Sequence, residues 1–218
     1  MNFLITAGAT REYLDPVRFI SNASTGRMGH ALAIAAVQAG HKATLITGGG
    51  ALAAPAGVNT VAVETSRQMF DAVKRRFSRC DCLIMAAAVC DWTPARKSPV
   101  KIKKTAGAFV MEFKPTDDIL AWAGRHKKPG RLVVGFALED RNLRHNAEKK
   151  LQEKKLDMIV ANTPVTIGSE TATVQIKIAG SKNWIRLPMA KKTAIAGKII
   201  TLLEGECRGA TGFPGLPA

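Results

Sequence analysis

Short apolar runs alternate with amphipathic stretches of helical length along most of this chain. The runs Asn2–Thr6, Ala43–Thr47, Thr60–Val63, Cys82–Ala87, Leu132–Phe136 and Met158–Ala161 read as strands buried on both faces. Between them, apolar residues spaced three and four apart predict helices over Gly29–Gln38, Ser66–Arg76, Asp118–Gly124 and Asn142–Lys155. This alternation predicts an α/β fold, a doubly wound Rossmann-like parallel sheet covered by helices. Ligands of such sheets bind beyond the carboxyl ends of the strands, so the loops after Thr6, Ala87 and Phe136 should share one crevice.

Two stretches depart from simple winding. Residues Asp91 to Lys114 form a basic, irregular insertion whose end, Ala108 to Phe113, alternates like a strand. Beyond Asn162, Thr173–Ile178 and Ile185–Leu187 flank Gly180-Ser181-Lys182-Asn183 and predict an antiparallel hairpin at the sheet edge. A helix over Ala190–Leu203 closes a single domain spanning residues 1–204, and the Gly- and Pro-rich tail, 205–218, is expected to be disordered.

The first strand spills into about twenty residues dense in Gly, Ser, Thr, Asn and Arg before the first helix, where ordinary strand-to-helix loops take roughly 2–6. Long loops without structure of their own are usually functional. This one offers glycines for close backbone approach, hydroxyls, arginines and a helix N-terminus, which suit a phosphorylated ligand.

Composition narrows the classes. The 218 residues are 46% hydrophobic, with a net charge of +15 and aromatics at only 6%. No run approaches a membrane span and no signal-peptide pattern opens the chain, which places the protein in the cytoplasm. Cys80, Cys82, Cys90 and Cys207, like the four histidines, lack metal-ligand spacing, so no metal site is expected among the side chains. The basic excess gathers in residues 96–104, 125–131 and 141–155. Such clusters serve nucleic acid or a polyanionic small molecule, and the scarcity of aromatics argues against nucleic acid. Neither a dinucleotide fingerprint nor a Walker sequence is present, and Gly48-Gly49-Gly50 reads better as a turn than as a phosphate loop.

Four separated segments, taken in order, resemble the phosphopantothenoylcysteine synthetase (phosphopantothenate–cysteine ligase) family. They are Gly8-Ala9-Thr10-Arg11-Glu12 running on through Asp15-Pro16-Val17-Arg18 to Gly29; Ala86 to Asp91 with Lys101-Ile102-Lys103-Lys104; Val134 to Glu139; and Lys150 and Lys154 leading into Leu156 to Asn162. The resemblance spans roughly residues 2 to 204. It implies a ligase that joins 4′-phosphopantothenate to L-cysteine through an acyl-nucleotide. The Lys-Ile-Lys-Lys run resembles members that use CTP, with Mg²⁺ assisting. It further implies a free-standing enzyme without FMN, a separate flavin-dependent decarboxylase acting next, and a homodimer formed through the strands outside the simple winding.

On that resemblance Asn22 and Lys101 are the catalytic candidates. Met85, Ala86, Ala87, Asp91, Asp118, Ile119, Leu120 and Phe136, with Lys101, Lys150 and Lys154, would hold the nucleotide. Gly8, Asn22, Ser24, Thr25, Gly26 and Gly29 would hold phosphopantothenate. The physical reading is compatible: Lys150 and Lys154 at i and i+4 share a helix face, Lys101 and Lys103 share one face of an extended segment, and the Asn22 amide can donate to a carbonyl or phosphate oxygen. The chain departs from the family pattern at Asp117, where Pro is usual, at Cys90, where Ala is common, and around Ser169 to Ala172, where an Asn is expected. The rival reading is a non-catalytic, basic Rossmann-like module that binds nucleotide or nucleic acid.

Overall fold

The computed structural model describes residues 1–49, 52–104 and 106–208. Strand β1 (Asn2–Ala7) is an interior strand of an eight-stranded sheet. The chain then makes a small antiparallel ribbon of β2 (Arg11–Tyr13) and β3 (Phe19–Ser21) and enters α1 (Arg27–Gln38). Next come β4 (Lys42–Thr47), β5 (Asn59–Ala62), α2 (Ser66–Phe77) and β6 (Cys82–Met85). The insertion contributes β7 (Trp92–Pro94) and β8 (Phe113–Pro115), paired antiparallel. The chain continues through α3 (Ile119–His126), β9 (Leu132–Leu138), α4 (Leu143–Glu153), β10 (Met158–Asn162), β11 (Thr171–Ile178), β12 (Trp184–Lys191) and α5 (Lys192–Arg208).

The spatial order is β12-β11-β10-β9-β6-β1-β4-β5, parallel from β10 to β5, with the β11–β12 hairpin added antiparallel at one edge. Strand alternation divides the core into two layers. Phe3, Ile5, Leu45, Ile84 and Val134 pack toward α1 and α5, while Leu4, Ile46, Leu83, Val133 and Ile159 pack toward α2, α3 and α4. The helix starts follow from local chemistry: Thr65 and Gln68 form a capping box on α2, and the Asp118 carboxylate accepts the Ala121 amide to cap α3.

Winding leaves β1 toward β4 and β5 on one side and toward β6, β9 and β10 on the other, so the direction reverses between β1 and β6. That reversal opens a crevice at the carboxyl ends of the strands.

Three expectations change. The loop after β1 is not structureless, because β2 and β3 fold it into a ribbon. Residues 108–112 do not form a strand: the pairing begins only at Phe113, and Phe109 and Val110 are 59% and 88% exposed, so their alternation reflects no buried face. The closing helix runs on through Gly205 to Arg208, and residues 209–218 lie outside the described part. No described helix is long and apolar enough to cross a membrane.

Candidate functional site

A cavity of about 680 Å³ opens at the reversal point between β1 and β6. Its floor is stitched by main chain. The amide of Thr10 donates to Ala88 O at 3.3 Å, the amide of Ala88 to Gly8 O at 2.9 Å, and the Thr10 hydroxyl accepts the Cys90 amide at 2.8 Å. Thr6 Oγ1 accepts the Ala87 amide at 3.2 Å. The loops after β1 and β6 thus form one continuous surface, with the small Ala86–Ala88 side chains leaving the backbone open to a ligand.

Asn22 stands on this floor. Its Nδ2 donates to Ala88 O at 3.2 Å and to Val89 O at 3.1 Å. The amide hydrogens expected to hold a ligand oxygen are therefore already engaged, and the atom left without a partner among the described residues is the acceptor Oδ1. Beyond it Ser24, Thr25 and Gly26 line the cavity at the N-terminus of α1. Gly26 takes φ +77°, and a Cβ there would meet the Gly8 backbone at 2.9 Å, so the turn into the helix requires glycine.

On the opposite wall Lys150 Nζ donates to Phe136 O at 2.8 Å, and Lys154 Nζ pairs with the Asp118 carboxylate at 2.8 Å. Burial, with Lys154's like charge beside it, lowers the Lys150 pKa below that of an ordinary lysine. For Asp118 burial alone would raise the pKa. The hydrogen bond from Lys154, the Ala121 amide and the charges of Lys154 and Lys150 outweigh it and hold the carboxyl below its usual value.

The cavity brings together Asn22, Ser24, Thr25 and Gly26 with the predicted nucleotide set Met85, Ala86, Ala87, Asp91, Asp118, Ile119, Leu120, Phe136, Lys150 and Lys154. It does not bring in Gly8, Gly29 or Lys101. Gly8 is the seat for Gly26 and for Gly48, which lies 3.3 Å from where its Cβ would be. Gly29 lets α1 lie on β1, since a Cβ would fall 2.5 Å from that of Ala7. Both glycines serve packing beneath the site. Lys101 is exposed on the segment leading away from β7, whose residue Ile102 is bonded to Asp15 and Arg18 at the tip of the β2–β3 ribbon.

The departures from the family pattern have partners. Asp117 pairs with Arg67 on α2 at 3.4 Å. The Cys90 thiol is buried and donates to Thr10 O at 3.2 Å, and burial raises its pKa. Sequence reasoning missed the far end of the cavity. There Arg27 Nη1 donates to Gly168 O at 2.6 Å and Lys192 Nζ to Thr166 O at 3.0 Å, so two cations hold the 163–168 loop. Arg27 was visible inside the first motif, whereas Lys192 carried no local signal.

Comparison with known proteins adds a family. The family described as the DNA/pantothenate metabolism flavoprotein C-terminal domain matches residues 1–205. A prokaryotic relative named cysteine/cysteine sulfinic acid decarboxylase, of unknown organism, is 43% identical over 201 residues, covering 90% of this chain and 56% of its own length. The coenzyme A biosynthesis bifunctional protein CoaBC of Bacillus subtilis (strain 168) is 41% identical over 203 residues, covering 90% of this chain and 49% of its own. The chain thus spans about half the length of these curated relatives. A crystal structure of the C-terminal domain of a CoaBC protein superposes with a TM-score of 0.82 at 36% identity, covering 95% of each chain.

Proposed function

The chain belongs to the DNA/pantothenate metabolism flavoprotein C-terminal domain family, and from that premise we propose that it is a ligase joining 4′-phosphopantothenate to L-cysteine at the expense of CTP, within coenzyme A biosynthesis. The observation that carries the reading is the cavity itself. Four sequence segments far apart in the chain, each singled out by the resemblance, supply its walls at the point where a wound sheet takes ligands.

The chemistry runs in two steps. The carboxylate of phosphopantothenate attacks the α-phosphorus of CTP, forming a C–O–P linkage as the bond to the β-phosphate breaks and pyrophosphate leaves. The cysteine amine then attacks the acyl carbon, the C–N bond forms, CMP departs with the electron pair, and the ammonium proton passes to solvent. An anion must approach a polyanion in the first step, so cations have to spread the repulsion. Lys150 and Lys154 supply them from one helix face, with Lys154 steadied by Asp118. The amide dipoles and hydroxyls at Ser24–Gly26 suit the phosphate of phosphopantothenate. The free Oδ1 of Asn22, fixed by its two carbonyl partners, accepts a hydrogen bond from the attacking amine and orients it. Backbone groups at Met85–Ala87, with Asp91, Ile119, Leu120 and Phe136, bind the base.

Mg²⁺ fits as a companion of the triphosphate rather than as a resident ion. No group of three or more His, Cys, Asp or Glu able to hold a metal occurs among the described residues. Mg²⁺ would be held mainly by the phosphates and water. The ion would supply charge neutralisation at the phosphates. We also infer a cytoplasmic homodimer covering the exposed apolar residues Trp92, Val100, Phe109 and Val110 of the insertion. A fully active monomer in light scattering would contradict the dimer.

The test of the function is formation of phosphopantothenoylcysteine from phosphopantothenate, cysteine and CTP, with CMP and pyrophosphate released in equal amounts. Release of CDP and phosphate would contradict the route. Binding of CTP without product would favour the non-catalytic module.

A further inference from the structure

The Asp15 carboxylate is fully buried, yet it belongs to the five-residue connection between β2 and β3, where the next residues, Pro16, Val17 and Arg18, are exposed. One oxygen closes the turn, accepting the amides of Val17 at 2.7 Å and Arg18 at 2.9 Å. Turn closure is a common use of Asp and accounts for those two bonds. It does not account for the other oxygen, which accepts the amide of Ile102 at 3.1 Å from 87 positions along the chain. Arg18 completes the link: its Nη1 lies 3.3 Å from the same carboxylate oxygen, and its Nη2 donates to Ile102 O at 2.8 Å. Both polar groups of the Ile102 backbone are thus held by one ion pair. Neighbouring contacts keep the approach to the segment in line, with the Ser98 amide on Leu14 O at 2.9 Å and Lys97 Nζ over the Tyr13 ring at 4.9 Å.

Ile102 sits inside Lys101-Ile102-Lys103-Lys104, where it is half-buried and the three lysines are exposed. Among the described residues Lys101, Lys103 and Lys104 make no comparable side-chain anchor, so the ion pair determines where this basic strip lies and which face it shows. We propose that Asp15 is a positioning residue that tethers the Lys101–Lys104 strip to the β2–β3 ribbon and thereby presents its lysines to the triphosphate as one fixed cationic surface. The role in nucleotide binding rests on the ligase reading above; the tether does not. Burial alone would raise the Asp15 pKa, but the three amides and the Arg18 charge outweigh it and hold it below the usual carboxylate value, which keeps the acceptor ionised at working pH.

Asp15→Asn separates the two oxygens. The amide orientation that preserves the turn sets an NH₂ group against the Ile102 N–H and breaks the tether. The full chain is digested briefly with trypsin, and cleavage after Lys101, Lys103 and Lys104 is followed by mass spectrometry beside that after the exposed Lys182 in the β11–β12 turn. Strip cleavage should rise roughly fivefold or more with Lys182 unchanged, since local opening is governed by local bonds. The KM for CTP should rise about tenfold while that for phosphopantothenate stays within about twofold, as loss of an oriented charge predicts. Arg18→Lys, which keeps the charge but loses the bond to Ile102 O, should move strip cleavage the same way by a smaller factor. Unchanged strip cleavage in both variants, a parallel rise at Lys182, or a lower KM for CTP would overturn the proposal. A wild-type protein inert with CTP would instead overturn the ligase reading, and the selective cleavage would still decide the tether.

Discussion

Lys150 in the last turn of α4 and Lys154, which caps its C-terminus, stand half-buried, each with a named partner inside the cavity, whereas Lys101, Lys103 and Lys104 lie exposed on a segment whose backbone is bonded to the tip of a ribbon. Both groups are basic, and Lys150, Lys154 and, in the second group, Lys101 read from the sequence as nucleotide contacts. The first is placed by helix geometry, which fixes side chains at i and i+4 relative to each other without regard to the rest of the molecule. The second is placed by two residues more than eighty positions away. The comparison teaches that the cavity wall is preorganised and desolvated, while the strip depends on a separable tether and keeps its water.

The largest effect should come from the wall. In Asn22→Asp a carboxylate would face the Ala88 and Val89 carbonyl oxygens in place of a donor, so the side chain must turn away. Misplacing a catalytic group costs about 3 kcal/mol, and turnover should fall roughly a hundredfold with melting temperature little changed, because Asn22 is exposed. Turnover within a few-fold of wild type would make Asn22 a turn residue and leave the wall without its central group.

Lys150→Met should come next. Removing a charge-assisted contact is worth about 1.5 to 3 kcal/mol, so catalytic efficiency with CTP should drop ten- to a hundredfold. Stability should hold or rise, since burial already disfavours this ammonium. The pH dependence follows the same sign. A native pKa below 10.5 means that Lys150 loses its proton before an ordinary lysine does, so CTP affinity should decline early on the alkaline side. Across that window the free protein gains stability as pH rises, because the unfolded chain still holds a proton that the native one has released. Lys150→Arg should move the alkaline decline upward. A profile identical to wild type would show that Lys150 does not meet the triphosphate.

The smallest of the three is Lys101→Gln, with Arg96→Gln, exposed in the same basic run, as a control for overall charge. Efficiency with CTP should fall about tenfold in the first and hardly at all in the second, and neither should alter the melting temperature, because exposed basic side chains contribute little to folding. Equal activities would assign the whole strip to general electrostatics and leave the wall as the nucleotide site.

The same contrast explains what the sequence made legible. The sheet strands and long helices were readable because apolar periodicity is a local consequence of burial, and the cavity followed from winding direction. Asn22, Lys150 and Ala86–Ala87, which line the cavity, were singled out through motifs lying at strand ends and on a helix face. Strands β2, β3, β7 and β8, each three residues long, fall below the length at which alternation carries a signal. The 108–112 alternation misled because within the chain's described residues Val110 is 88% exposed, so no burial inside the domain enforces a strand there. Gly8 and Gly29 looked like ligand contacts because glycine serves close backbone approach equally well to a phosphate or to another strand. Lys192, the Arg67–Asp117 pair and the Asp15–Ile102 link are products of tertiary contact, and no local pattern encodes them.

The central claim is that the phosphopantothenate carboxylate is activated by bonding to the α-phosphorus of CTP. The most direct measurement gives the enzyme phosphopantothenate labelled with ¹⁸O in the carboxyl group, together with cysteine and CTP, and follows the label by mass spectrometry. One ¹⁸O should appear in CMP, with none in inorganic phosphate or pyrophosphate. Label in inorganic phosphate, or product formed with unlabelled CMP, would contradict the account.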